Sequence, residues 1–348
     1  MTVTWKDYLS AHKGDAETYR ECCLRFREAF EQQRTNITRV FEAKSPKVIA
    51  CLGAGVLNDI PYDLFVRSGA KVHLVDWMPS SIEAGIGLSI IDVDENGCPR
   101  CVYCDPSVEC PEAYCRHYRR QKSSDTAVCD EYKQAPSDPP RCAAFARGDE
   151  PDVRYEDVTG GYASEFGHRV SQTLRGVRTW KQAFVEISDL AQRVKSHRTP
   201  LSIDDDSVDL VTSSMVVSQL DEEPYDYFSY RAGELLGRPK QREESRLLPS
   251  MEALRSILLA NQVERHCEEI KRILAPDGVC YMSFEMFHFN PEAGQWFVVA
   301  GMSKALAIIG RWFNFNFDII APNETLATFD RGKAPSLVGS FVLEPKAA

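Results

Sequence analysis

Apolar residues recur along the chain with two different spacings, which predict alternating strands and helices. Apolar runs rich in β-branched side chains predict strands at residues 47–52, 71–75, 153–157, 207–220 (including the exit of the strand) and 279–284. At 170–194 apolar residues step by three and four, which is the spacing of a helix that packs one face on a core. Strands that alternate with helices favour an α/β fold with a parallel sheet.

The two ends of the chain add further elements to this core. Residues 5–44 are partly amphipathic and predict N-terminal helices. A helix at 251–274 is predicted to lead through a turn at 275–278 into the fifth strand. Residues 315–321 and 336–343 then predict two terminal strands.

A glycine turn joins the first two strands. Gly53-Ala54-Gly55 follows the first strand directly, and two glycines there let the backbone approach a ligand closely. Either Asn58 or Asp59 is placed to cap the helix that follows. The segment therefore predicts a strand, a glycine turn, a helix and a second strand.

The second strand ends at an acidic residue, Asp76, which Trp77 follows. A carboxylate about twenty residues after the glycines is placed to accept the hydroxyls of a ribose in a doubly wound fold. The third position of the dinucleotide pattern G-x-G-x-x-G is Asn58, which disfavours NAD or FAD but tolerates a nucleoside without phosphates. A turn that binds no ligand is the alternative, but the glycines, the capped helix and the acidic strand end together favour cofactor binding.

The segments LGAG at 52–55 and LVDW at 74–77 resemble two motifs of the class I S-adenosylmethionine-dependent methyltransferases. The resemblance implies an α/β fold with a doubly wound, mostly parallel seven-stranded sheet and a terminal antiparallel hairpin. It also implies an adenine contact at Asp157-Val158, while Ser213 and Ser214 lie at the carboxyl end of the fourth strand, where ligands of such sheets bind. The predicted cofactor-binding residues are Gly53, Ala54, Gly55, Asn58, Asp59, Asp76, Trp77, Asp157, Val158, Ser213 and Ser214.

Two segments interrupt this predicted domain. We expect an N-terminal helical cap at 1–45 and a methyltransferase domain at 46–348, interrupted at 96–150 and at 221–250. The second interruption is aromatic, charged and too long for an ordinary loop, which favours a substrate lid. Its aromatic rings either form the wall of a substrate pocket or pack in the core; they are Tyr225, Tyr227, Phe228 and Tyr230.

The first interruption is rich in cysteine. It is polar and Pro-rich, so it cannot form much of a core unaided. Pairs of cysteines with C-x-x-C spacing chelate metal ions, and eight candidate ligands suffice for two closed zinc sites. They are Cys98, Cys101, Cys104, Cys110, Cys115, His117, Cys129 and Cys142. The alternatives are an iron–sulfur cluster, whose ferredoxin-like spacing is matched imperfectly, and disulfides or unligated thiols; His117 is equally suited to a solvated surface.

Composition narrows the class of protein. The 348 residues carry a net charge of -10, which argues against tight, sequence-indifferent nucleic-acid binding. The first fifteen residues lack the pattern of a secretory signal, so we expect a cytoplasmic protein whose twelve cysteines are thiols or metal ligands. Lys304 and Arg311 interrupt the apolar segment 296–313, which favours a buried helix over a membrane span.

The sequence thus favours an S-adenosylmethionine-dependent methyltransferase that acts on a small molecule or on another acceptor that the sequence does not identify, with a metal-ordered insertion near its active site. The cofactor carries an activated methyl group, so the protein must position a nucleophile and, where that nucleophile is protonated, a base. The available bases are Glu165, His168 and Tyr225. SSMV stands at the fourth-strand exit in place of an N/D-P-P-Y/F motif, which disfavours amino groups of DNA bases or glutamine. A zinc-stabilised scaffold without catalysis and a nicotinamide oxidoreductase are the alternatives.

Overall fold

A computed structural model of the chain describes residues 3–12, 28–77, 81–82, 85–86, 91–93, 99–101, 151–329 and 335–346. Its strands are β1 Val48–Leu52, β2 Lys71–Val75, β3 Ile91–Val93, β4 Pro99–Cys101, β5 Asp152–Arg154, β6 Val208–Ser214, β7 Leu274–Asn290, β8 Gln295–Val298, β9 Phe313–Asn316, β10 Leu326–Phe329 and β11 Ser336–Pro345. Its α-helices are α1 Trp5–His12, α2 Glu31–Lys44, α3 Tyr62–Arg67, α4 Tyr162–Thr173, α5 Trp180–Arg193, α6 Glu222–Leu236, α7 Gln241–Ile273 and α8 Met302–Trp312.

One large sheet organises the protein. Its strands run in the order β10-β11-β7-β6-β1-β2-β5, with β8 paired to β7 and β9 paired to β11. The five strands from β7 to β5 are parallel, whereas β11 and β10 are antiparallel to their neighbours. The predicted doubly wound, mostly parallel sheet with an antiparallel end is therefore confirmed, and β8 and β9 extend it to nine strands.

Alternate residues of the central strands face opposite layers of helices. Ala50 and Leu52 of β1 pack in a cluster with α7 and α8. Ile49 and Cys51 of the same strand pack in another cluster with α2 and α3. Because both faces are covered, these strands are almost continuously apolar, which is why their sequences do not alternate.

Several element boundaries differ from those predicted. β7 spans Leu274 to Asn290, but its register on β6 shifts from Leu274 directly to Val279, so residues 275–278 bulge out of the pairing where the turn was predicted. The strand continues past its predicted end at residue 284 to Asn290, where it pairs with β8. The predicted strand at 315–321 is shorter and starts earlier, as β9. The predicted helix at 296–313 is confirmed only from Met302 onward, since β8 precedes it. Along the parts of the chain that the structure describes, no helix is long and apolar enough to span a bilayer.

Segment 221–250 is helical and lies on the carboxyl side of the parallel strands. It contains α6 and the start of α7, a helix of 33 residues. At 1.5 Å per residue such a helix is about 50 Å long, whereas a seven-residue strand such as β6 spans about 23 Å. Since α7 ends where β7 begins, its N-terminal part extends past the carboxyl end of β6. The helices α5 and α6 accompany it there.

Candidate cofactor turn and adjoining cavity

The glycine turn is folded over the end of β2. The amides of Gly53 and Ala54 both donate to the carbonyl oxygen of Val75, at 2.8 and 3.1 Å. The next amide, of Gly55, donates to Oδ2 of Asp76 at 2.9 Å. All three successive N–H groups of the turn are therefore paired with the end of the second strand, and the predicted carboxylate lies directly at the glycines.

The two glycines are required for different reasons. A Cβ on Gly53 would lie 2.4 Å from Cγ2 of Val216, so the turn packs directly on the exit of β6. A Cβ on Gly55 would meet nothing closer than the carbonyl oxygen of Gly53 at 3.7 Å. Both residues have a positive φ, +68° for Gly53 and +49° for Gly55, and residues other than glycine adopt this backbone conformation only with steric strain. The ends of β1, β2 and β6 thus meet at this turn.

Asp59 is buried beside the turn and does not cap the helix. The predicted cap by Asn58 or Asp59 is wrong, because Pro61 precedes α3 and no side chain caps it. Instead the hydroxyl of Ser214 donates to the Asp59 carboxylate. Burial raises the pKa of Asp59 to about 6, although Ser214 and Arg34 act in the opposite direction. Two predicted cofactor residues, Asp59 and Ser214, are therefore in contact.

Ser213 points to the opposite face of the sheet, toward a histidine that the sequence did not single out. His266 of α7 lies 2.8 Å from the Ser213 hydroxyl through Nε2 and 2.8 Å from the carbonyl oxygen of Val158 through Nδ1. Since the carbonyl only accepts, Nδ1 carries the proton and Nε2 accepts from Ser213. Complete burial lowers the pKa of His266 to about 4, so the imidazole is neutral. A histidine among the apolar positions of a predicted helix is the only signal that pointed to this bridge.

Asp157 is engaged with the backbone that leads into α4. Its Oδ1 accepts from the amide of Thr159 and its Oδ2 from the amide of Ser164, both at 2.9 Å. These bonds fix the chain between β5 and α4. The adenine contact predicted for Asp157 and Val158 remains a prediction.

The three candidate bases lie on two helices. Glu165 forms an ion pair with Arg169 one turn along α4, and His168 is exposed on the same helix. Tyr225 is buried on α6, where the guanidinium of Arg255 lies 5.2 Å from the centre of its ring. None of the hydrogen bonds of the described residues joins two of these three candidates, whose catalytic roles remain predictions.

An aromatic cluster connects the end of β2, beside the glycine turn, to α6. Trp77, which follows Asp76, packs edge-on against Trp5 of α1 with ring centres 5.7 Å apart. Trp5 contacts Tyr227 at 5.1 Å, and Tyr8 of the same helix contacts Tyr230 at 5.6 Å. The N-terminal helix α1 therefore lies between the end of β2 and α6.

A cavity of about 540 Å³ lies among α5, α6 and α7. Its lining is mostly apolar and aromatic, and comprises Trp180, Phe184, Tyr225, Ser229, Tyr230, Gly233, Glu234, Arg238, Pro239, Glu244, Leu247 and Met251. Of the four aromatic residues considered for a substrate pocket, Tyr225 and Tyr230 line this cavity, and Tyr225 also belongs to the core cluster that contains Tyr227 and Phe228.

No protein-family model matches the chain, and no curated protein does. Among solved structures it is similar to the PH0226 protein from Pyrococcus horikoshii OT3, with 11% identity, a TM-score of 0.35, and coverage of 88% of this chain and 86% of that one. It is also similar to 1,6-didemethyltoxoflavin-N1-methyltransferase from Burkholderia thailandensis, solved with 1,6-didemethyltoxoflavin and S-adenosylhomocysteine. That likeness has 11% identity, a TM-score of 0.33, and coverage of 90% and 79%. Similarity at these scores is too distant to indicate a function.

Most of the predicted metal ligands lie outside the described residues: Cys98, Cys104, Cys110, Cys115, His117, Cys129 and Cys142. Cys101 lies on β4, opposite Ile91 of β3. Within the described ranges, no group of three or more His, Cys, Asp or Glu side chains is arranged to hold a metal ion. The metal sites of the cysteine-rich segment remain a prediction.

Proposed function

We propose that the protein is an S-adenosylmethionine-dependent methyltransferase with a small-molecule acceptor. The observation that carries the proposal is the pairing of all three amides of Gly53, Ala54 and Gly55 with the end of β2. A glycine turn binds a pyrophosphate through unpaired N–H groups, so this turn lacks the donors that a dinucleotide needs. A nucleoside cofactor without phosphates does not need them.

Two carboxylates at the turn fit the rest of such a cofactor. Asp76 is the candidate acceptor for the ribose hydroxyls, since it lies at the end of β2 against Gly55. Asp59 is the candidate partner for the α-ammonium group, because burial makes its negative charge unfavourable and a bound cation removes that penalty. Tyr281, Cys51 and Arg34 are the other titratable groups that act on Asp59.

The chemical step asks little of the protein beyond positioning. S-adenosylmethionine supplies a methyl group that its sulfonium already activates. The chain must hold the acceptor atom in line with that methyl group and exclude water. Val216 and Ser214 are the candidates for the floor of that site, because Val216 lies against Gly53 and Ser214 against Asp59.

Calorimetric titration with S-adenosylhomocysteine, S-adenosylmethionine and NADH tests the proposal. We expect both adenosyl ligands to bind and NADH not to bind. Binding of NADH alone would establish an oxidoreductase instead. Binding of none of the three would favour a protein that keeps the fold as a scaffold without catalysis.

We also propose that a metal ion, zinc rather than an iron–sulfur cluster, orders the segment at 96–150. The C-x-x-C spacing of Cys98 and Cys101 supports this proposal. Elemental analysis of the purified protein should find zinc in stoichiometric amount. Chelation should then increase protease cleavage within 96–150 while the affinity for S-adenosylhomocysteine is unchanged. Absence of bound metal would contradict this proposal. Loss of turnover on chelation, without increased protease cleavage, would contradict a structural role for the metal.

A further inference from the structure

The cavity among α5, α6 and α7 lies on the same side of the sheet as the cofactor turn. Its inner wall includes Tyr225, in the first turns of α6, shortly after the exit of β6. That exit reaches the turn through the contact of Val216 with Gly53. Its volume of about 540 Å³ is in the range of pockets that hold small organic ligands.

The cavity walls are aromatic and held in place. The indole Nε1 of Trp180 donates to the carbonyl oxygen of Gly237 at 3.0 Å, which fixes the ring. Phe184 packs edge-on against the buried Phe228, with ring centres 5.2 Å apart. Leu247 and Met251 of α7 complete the apolar lining. A preformed wall of this kind favours a flat, apolar ring, because little side-chain freedom is lost on binding.

The charged residues of the lining are not equivalent. Glu234 accepts a hydrogen bond from Tyr230 at 3.0 Å and forms an ion pair with Arg231. Glu244 lies in the first turn of α7, where the helix dipole offsets a negative charge. Neither Glu244 nor Arg238 has a side-chain hydrogen bond or ion pair with any residue that the structure describes, and Arg238 is the one basic residue of the lining. The lining therefore offers an unpaired cation to a ligand.

We infer that the cavity binds a planar aromatic carboxylic acid, with its ring among Trp180, Phe184 and Tyr225 and its carboxylate on Arg238. A guanidinium binds a carboxylate through two parallel hydrogen bonds, which gives both affinity and orientation. Naming this ligand as the methyl acceptor rests on the proposed function. Its binding in the cavity does not.

Calorimetric titration with three indole probes tests the inference on the full-length protein. Indole-3-propionate should bind at least about tenfold more tightly than tryptamine, because only its carboxylate pairs with Arg238. Indole, which has the ring but no charge, should bind with intermediate affinity. Tighter binding of tryptamine, or no binding of any probe, would overturn the inference.

Two variants locate the binding site, each with a matched control. Arg238→Gln should weaken the binding of indole-3-propionate about tenfold and leave indole unchanged, whereas Arg242→Gln, outside the cavity lining, should change neither. Gly233→Leu should abolish the binding of both probes, because a Cβ at this position meets nothing within 4 Å and the side chain fills open space. Gly233→Ala is its control and should retain binding. Wild-type affinity in Gly233→Leu would place the ligand elsewhere.

Titration of the same variants with S-adenosylhomocysteine separates the two proposals. Gly233→Leu should bind S-adenosylhomocysteine as the wild type does, since Gly233 does not contact the cofactor turn. If the wild type binds indole-3-propionate but no adenosyl ligand, the proposed function is wrong and the cavity assignment stands. If it binds S-adenosylhomocysteine but no aromatic acid, the cavity assignment is wrong and the proposed function stands.

Discussion

The cofactor turn and the cavity lie on the same side of the sheet but are built in opposite ways. At the turn the backbone amides are paired and Gly53 has no room for a side chain. In the cavity the walls are side chains, and Gly233 has nothing within 4 Å of an added Cβ. A glycine therefore enforces a close contact in one region and leaves volume in the other. The turn is therefore fixed by its backbone, whereas the shape of the cavity is set by its side chains.

The largest effect on the free energy of unfolding is expected from adding a side chain to the glycine turn. Gly53→Ala should destabilise the protein by about 4 kcal/mol, because the new Cβ meets Val216 and the positive φ is strained. Gly55→Ala has the same backbone strain without the contact and should cost only about 1 kcal/mol. Denaturant unfolding measures both free energies. Equal losses in the two variants would show that packing on β6 does not distinguish the glycines.

The charge of Asp59 should destabilise the folded state near neutral pH. Because the folded pKa of about 6 exceeds the ordinary value of 3.8, the folded state binds the proton more tightly, and stability falls as pH rises from about 4 to 6. Asp59→Asn should therefore be more stable than the wild type by up to about 3 kcal/mol near pH 7.5 and equal to it near pH 4. His266 titrates in the same interval with the opposite sign, but both proteins contain it. A stability difference independent of pH would contradict this account.

A smaller effect, on binding, is expected from the carboxylate at the end of β2. Asp76→Ala should weaken S-adenosylhomocysteine binding by about 2 kcal/mol, the usual value of hydrogen bonds to a charged group. Asp63→Ala, which removes an exposed carboxylate from α3, is the control and should bind normally. Calorimetry gives both affinities. Unchanged affinity in Asp76→Ala would remove Asp76 from the cofactor site and leave its bond to Gly55 as a structural contact.

The smallest effect is expected in the cavity wall and has the opposite sign. Gly233→Ala should stabilise the protein by about 0.8 kcal/mol, because alanine favours a helix over glycine and the added Cβ meets open space. Thermal unfolding measures the gain. A loss of stability would mean that the cavity has no room at this position, and the contrast between the two regions would fail.

The sequence predicted the turn because its determinants are local. Gly53, Gly55 and Asp76 lie within one strand–helix–strand unit, so their spacing alone brings them together, and the structure joins Gly55 to Asp76. The alternation of strands and helices likewise predicted the parallel sheet, although not the order of its strands. The cap assigned to Asp59 was wrong because a residue of a strand more than 150 positions away, Ser214, provides a buried partner.

The cavity and the His266 bridge were not predictable in the same way. The cavity lining comes from three helices, and the apolar positions of α5 and α7 are equally suited to ordinary packing. His266 contacts Ser213 and Val158 across 53 and 108 positions of sequence. Sequence spacing does not predict contacts at such separations. The end of β7 and the presence of β8 were also missed, because these two strands are defined by their pairing with each other.

The long helix α7 packs in two clusters of the core, and a proline interrupts its backbone hydrogen bonds. Leu247 and Leu254 pack with α4, α5 and α6, whereas Val263 and Ile270 pack with the sheet. Pro249 lies inside the helix and has no N–H to donate, so one bond of the ladder is missing there. The segment before it, which carries Glu244 and Leu247, is therefore held to the rest of the helix by one backbone hydrogen bond fewer. We therefore expect this end of α7, which lines the cavity, to open locally at a lower free energy than the part of the helix that holds His266 against the sheet.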